Sequence, residues 1–90
     1  MNKDMVSAYK IGEVVDYDAR FHIALIRLDL HLKVGDTIQL SGVMTDFQQT
    51  VESMKKDKEE VKLARSADEV HIVMEKHVKV GDAVVLVPRA

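Results

Sequence analysis

The histidines, serines and paired carboxylates are the side chains of this sequence with the means to do chemistry, and their spacing decides what they could do. His22, His31, His71 and His77 are the only imidazoles. His22 and His71 fall within apolar runs, while His31 and His77 occupy matching points of two turns. None has a partner at a metal-ligand spacing such as i, i+4 on a helix, so no metal site is expected. Ser7, Ser41, Ser53 and Ser66 would need a positioned base to act as nucleophiles, and no Gly-x-Ser-x-Gly elbow is present. Asp16 with Asp18 and Glu59 with Glu60 are paired carboxylates, but a catalytic pair needs burial that drives its two pKa values apart. Both pairs sit where the sequence reads as turn or charged loop. A phosphate loop of the form Gly-x-x-x-x-Gly-Lys-Ser/Thr is missing, and Asn2-Lys3-Asp4 only brushes against the guanine-reading Asn-Lys-x-Asp. The expectation is a chain that is not an enzyme, with no catalytic residues, no cofactor, no metal and no GTP, and that acts by binding.

What positions any binding surface is a repeated turn. His31-Leu32-Lys33-Val34-Gly35-Asp36-Thr37-Ile38-Gln39-Leu40 returns as His77-Val78-Lys79-Val80-Gly81-Asp82-Ala83-Val84-Val85-Leu86. Gly35 and Gly81 supply φ > 0 without steric cost. Asp36 and Asp82 are expected to hold each turn shut by hydrogen-bonding backbone two residues on. The alternating residues that follow each turn read as a strand with one apolar face.

Ninety residues bound the chain to one small domain. Hydrophobic residues make up 47%, too many for a disordered chain. The formal net charge of −2 gives no overall basic excess, so RNA or a ribosome could be met only through a local patch. Lys33 and Lys79, with Arg20, Arg27 and Arg65, are the candidates for one, and the aromatics Tyr9, Tyr17, Phe21 and Phe47 are few for single-strand stacking. Cysteine is absent, which removes disulfides and thiolate ligands. The N-terminal residues lack a signal-peptide apolar core and no apolar run approaches a membrane span, so a cytoplasmic location without a membrane partner is expected.

Residues 1–7 read as a flexible arm and 8–90 as a single all-β domain. Ala8 to Val15 is a first strand, with Gly12 marking a bulge or a close backbone approach, and Asp16-Tyr17-Asp18 is a turn. Arg20 to Leu28 is the strongest strand, apolar on both faces. Thr37–Ser41, Glu69–Met74 and Ala83–Val87 alternate cleanly, and Phe47, Val51 and Met54 anchor the stretch between. Val51 to Ala64 is read two ways: as a helix from propensity, or as strand, charged loop over 55–60, and strand.

Gly12-x-Val14, Ala24-x-Ile26-x-Leu28 and Leu32-Lys33-Val34-Gly35-Asp36-Thr37-Ile38 are followed by Phe47-x-Gln49-x-Val51-x-Ser53-Met54. Then come Val61-x-x-Ala64, Asp68-x-Val70-x-Ile72 and Val78-x-x-Gly81-Asp82. This order resembles the second, β-barrel domain of elongation factor Tu and other translational GTPases, and stand-alone translation elongation factor-like proteins. The C-terminal domain of collagenase-like peptidases is similar too. The resemblance implies a closed six- or seven-stranded Greek-key β-barrel. It implies a binding module acting in translation or RNA biology or, alternatively, an accessory subunit docking on a peptidase-like or RNA-modifying enzyme. That family has Gly where this chain has Ala67 and His71.

The resemblance places Ala24, Ile26 and Leu28 inside. Phe21, Ile23 and Leu25 are then left on the outer face as a possible partner face. Either the N-terminal arm or the 55–60 loop covers them, or a protein partner or a second copy docks there.

Overall fold

The computed structural model describes residues 9–88. The arm expected over 1–7 lies outside them. Gly35 and Gly81 take φ of +102° and +99°, and the chain turns in the same way around each. The Asp36 N–H donates to the Lys33 carbonyl at 3.1 Å, and the Asp36 carboxylate accepts the Lys33 N–H at 3.0 Å. Asp82 makes the same two bonds to Lys79, at 3.0 and 2.9 Å. Positive φ at the third residue is the mark of a type II turn. The carboxylate reaches back three residues, not forward two as the sequence reading had it.

A third copy of this turn is present. In Arg65-Ser66-Ala67-Asp68 the Asp68 N–H donates to the Arg65 carbonyl at 3.0 Å, and the Asp68 carboxylate accepts the Arg65 N–H at 2.8 Å. Ala67 takes φ +76°. Each turn also grips one buried residue elsewhere in the chain by two backbone bonds. Gly35 N–H donates to the Val51 carbonyl and Val51 N–H to the Asp36 carbonyl, both at 2.8 Å. Gly81 and Asp82 hold Val14 in the same way at 2.8 and 2.9 Å, and Ala67 and Asp68 hold Leu28 at 2.8 and 2.9 Å. The residue before each basic position, Leu32, Val78 or Ala64, is buried. The architecture is therefore built on three equivalent clamps.

These turns carry a stability prediction. A Cβ on Gly35 would meet nothing within 4 Å, so Gly35→Val acts only through backbone strain and should cost about 1–3 kcal/mol. Ala67 already bears that strain. Ala67→Gly should relieve it, offset in part by the greater unfolded-state entropy of glycine, for a net gain of up to about 1 kcal/mol. Denaturant midpoints of the two variants should move in opposite directions.

The described residues form ten strands and no helix. They are β1 (Tyr9–Asp18), β2 (Ile23–Leu28), β3 (Leu32–Lys33), β4 (Thr37–Ser41), β5 (Asp46–Thr50), β6 (Met54–Lys56), β7 (Glu59–Val61), β8 (Leu63–Ala64), β9 (Glu69–Val73) and β10 (Ala83–Val87). Eight of them make one antiparallel sheet in the order β5-β4-β10-β1-β2-β9-β6-β7, and β3 pairs with β8 apart from it. The three clamps launch β4, β9 and β10. Ile11, Val14, Ile26, Leu40, Val70 and Val84 are among the fully buried residues of a single core cluster.

The expected closed six- or seven-stranded barrel does not form. The main sheet is an open half-barrel whose terminal strands, β5 and β7, do not pair with each other. A side chain spans part of the gap. The buried Gln49 amide donates to the Val73 carbonyl at 2.9 Å and accepts the Glu75 N–H at 2.8 Å, tying β5 to the end of β9.

Two local readings are also corrected. Asp16-Tyr17-Asp18 is not a turn but the end of β1, whose register slips between Val14 and Asp16. Of the two readings of Val51 to Ala64 the helix does not form and strand, loop, strand does, but the loop is shorter than 55–60: it is the tight turn of a hairpin, with Asp57 and Lys58 at φ +52° and +71°. Two positive φ values make the turn whose twist suits a two-residue hairpin. The charge run folds on itself, setting Lys55 opposite Glu60 and Lys56 opposite Glu59, and opposite charges in register favour pairing.

Candidate functional site

The register of β2 puts Ala24, Ile26 and Leu28 in the core, where they are fully buried, so Ile23 and Leu25 face outward. Antiparallel pairing then builds a row across four strands: Asp16 on β1, Leu25 on β2, His71 on β9 and Lys55 on β6. The adjacent row holds Asp18, Ile23 and Val73. Asp16, Asp18, Ile23, Leu25 and His71 line one shallow groove. Ile23 and His71 are shared with a second, lined also by Ser53, Lys55 and Val73. The face thus has an apolar centre, a carboxylate flank and an ammonium flank.

The structure does not keep the three residues of the possible partner face, Phe21, Ile23 and Leu25, together. Ile23 and Leu25 are partly covered, and both line the groove. Phe21 is 62% exposed but precedes β2, in the turn, where the Arg20 guanidinium lies 5.3 Å from its ring centroid. The hairpin at 55–60 lies beyond β9, at the end of the sheet. Val73, 57% exposed, belongs to the face. The sequence carried its signal in the outward phase of the Glu69–Met74 alternation.

The other candidates are engaged in structure. Gly35, Asp36, Gly81 and Asp82 make two of the clamps, and Asp82 also accepts the Thr45 hydroxyl hydrogen bond. The Tyr17 hydroxyl and His22 Nδ1 share a 3.3 Å hydrogen bond, and the His77 ring meets Tyr17 edge-on at 4.9 Å. Among the described residues no group of three or more His, Asp or Glu is placed to hold a metal. The supposed basic patch is largely paired: Arg20 with Asp18 at 3.1 Å, Arg27 with Glu13 at 3.7 Å and Lys33 with Asp36 at 3.4 Å.

Two carboxylates are held below the usual range. Arg20 donates its guanidinium to Asp18. For Asp68 the Arg65 backbone N–H is the main cause, followed by Lys56, whose ammonium is 3.0 Å away. A carboxylate with a lowered folded pKa adds stability above its unfolded value, about 3.9, and loses it as pH falls through the folded value. Asp68→Asn should therefore destabilise at neutral pH. Its deficit should shrink toward zero as unfolding is measured at increasingly acid pH.

No family model matches the chain. An uncharacterized protease of Methanocaldococcus jannaschii is 33% identical over 78 residues, which are 86% of this chain and 19% of that protein. The chain thus spans about a fifth of the length of the curated relative it matches. Two crystal structures of the C-terminal domain of a Geobacillus thermoleovorans protein, described as a U32 peptidase, share the fold. One, the selenomethionine variant, superposes with a TM-score of 0.79 at 22% identity over 83% of this chain and 95% of that one. The other gives 0.80 at 22% identity over 84% and 89%. The fold is the one found at the C-terminus of that protein, the peptidase side of the resemblance read from the sequence.

Proposed function

We propose that this chain is a non-catalytic accessory module of a peptidase-like protein, contributing an interaction surface and not bond cleavage. One observation carries the reading: the chain matches nearly the whole of a C-terminal domain from a peptidase, while a protease relative aligns with it over only 19% of its own length. A unit of this size beside a much larger remainder is what an attached module looks like. The clamp carboxylates support a non-catalytic role, because one oxygen of each is committed to a backbone N–H group. The outer face of β2 and β9 is an interaction surface of the module, and we place its work in the cytoplasm.

The translation reading, in the manner of elongation factor domain 2, would need a surface for phosphates. Three of the five cations named for it are in ion pairs, which favours the peptidase reading.

The test uses the Methanocaldococcus relative with its matched 78-residue segment removed. Calorimetric titration with this chain should show binding that persists from low to high salt, as apolar docking does and phosphate contact does not. The chain alone should leave labelled casein uncleaved. Casein cleavage by the chain itself, or binding to RNA in place of the protease remainder, would overturn the proposal.

A further inference from the structure

We infer that the outer face of β2 and β9 joins two copies of this chain, related by a two-fold axis lying parallel to the strands. The inference rests on the reading of that face as the module's interaction surface, and it names the occupant. Its basis is the order of chemistry across the sheet: an acid, an apolar residue, an imidazole and a base, with Ile23 and Val73 in the row beside them. Asp16 and Lys55 stand at opposite ends of one row, with Leu25 and His71 between them. Three strand spacings of about 4.8 Å separate them.

An isologous contact pairs a patch with itself, so a face can join two copies only if it complements its own image. With the strands of the two sheets aligned, two packings bring this face onto itself. A two-fold axis parallel to the strands, between β2 and β9, carries β1 of one copy over β6 of the other. Asp16 then faces Lys55 twice, and in the centre Ile23 of each copy faces Val73 of the other while Leu25 faces His71. An axis across the strands lays β1 over β1 and Asp16 over Asp16, which like-charge repulsion disfavours. The charges therefore select one arrangement. Asp16 and Lys55 are the pair to use, because Asp18 is engaged by Arg20. Glu60 follows Lys55 in the row, on β7, and the same axis lays β10 of the other copy over it. Val73, 57% exposed, supplies the largest exposed apolar area at the centre.

Sedimentation equilibrium of the full chain tests this. The wild-type mass should rise with concentration from one chain toward two. Asp16→Lys and Lys55→Asp should each weaken the dimer by roughly tenfold or more, and the two together should restore it. Circular dichroism melts should stay near wild type, since neither side chain is in the core. A wild type that stays monomeric overturns the inference, and so does a double variant no better than either single one. The reading beneath it fails separately, by loss of binding to the truncated protease relative.

Discussion

Gly42→Ala is expected to destabilise the protein by about 2–4 kcal/mol, although the residue sits at an exposed hairpin end. A Cβ built on Gly42 would lie 1.9 Å from Asp82 Oδ1 and 2.7 Å from its Cγ. A flexible carboxylate could move aside, but this one is fixed. Asp82 is 5% exposed and accepts the Lys79 N–H at 2.9 Å and the Thr45 hydroxyl. Thr45 is buried as well. Displacing the carboxylate would open the second clamp and strand a donor at Lys79 and another at Thr45, each worth about 1–3 kcal/mol when buried unsatisfied. The denaturant midpoint should fall with little change in slope. In an Asp82→Ala background the same substitution should cost far less, because the obstacle is gone. A Gly42→Ala variant within about 0.5 kcal/mol of wild type would mean that the carboxylate is free to move.

Gly12→Ala is expected to cost a similar amount, about 2–4 kcal/mol, for a different reason. Gly12 lies in β1, between Leu28 of β2 and Val84 of β10. Its added Cβ would stand 2.6 Å from the Arg27 carbonyl oxygen and 3.2 Å from Ile26 Cγ2. The first of these is backbone in a neighbouring strand and cannot rotate away, so β1 and β2 would have to separate at the centre of the sheet. Replacing glycine by alanine at a permissive site stabilises by about 0.4–1 kcal/mol through the unfolded state. The sign should be reversed here. Amide exchange should quicken along β1 and β2 before it does so at β5 or β7. A stabilised Gly12→Ala protein would show that the strands are not held this close.

Much of the fold could be read from the residues because it depends on local rules. Glycine signals positive φ, which located two clamps; period-two alternation left both faces of β2 open, and the family resemblance chose the inward set Ala24, Ile26 and Leu28. Ala67-Asp68 reads as a turn, but not as a third copy of the clamp, because Ala67 stands where glycine would have announced it. What remained visible was the Arg65-x-x-Asp68 spacing followed by an alternating run. The hairpin at Asp57-Lys58 was legible only as one of two alternatives, strand, charged loop and strand, since its turn lacks Asn-Gly and the helix propensity of its neighbours competed. Its signal was the Lys-Lys-x-x-Glu-Glu symmetry. Closure of the sheet was misjudged because it is a property of which strands end beside one another, and no residue type encodes it. The partner face was half legible. Ile23 and Leu25 follow from the register of one strand, but Val73, His71 and Lys55 join them only through pairing with β9 and β6.

The central claim is that the outer face of β2 and β9 is a surface made for a partner and not part of the core. Sedimentation velocity of Ile23→Lys tests it most directly, because it reports compactness and association together. Ile23 lines the groove and lies opposite Val73, so a lysine there places a charge at the centre of the face and leaves the buried cluster intact. The expected result is a compact single chain under conditions where the wild type associates. An expanded chain would contradict the account, because it would make Ile23 a core residue. A compact chain that associates as the wild type does would contradict it equally, because the face would then have no partner.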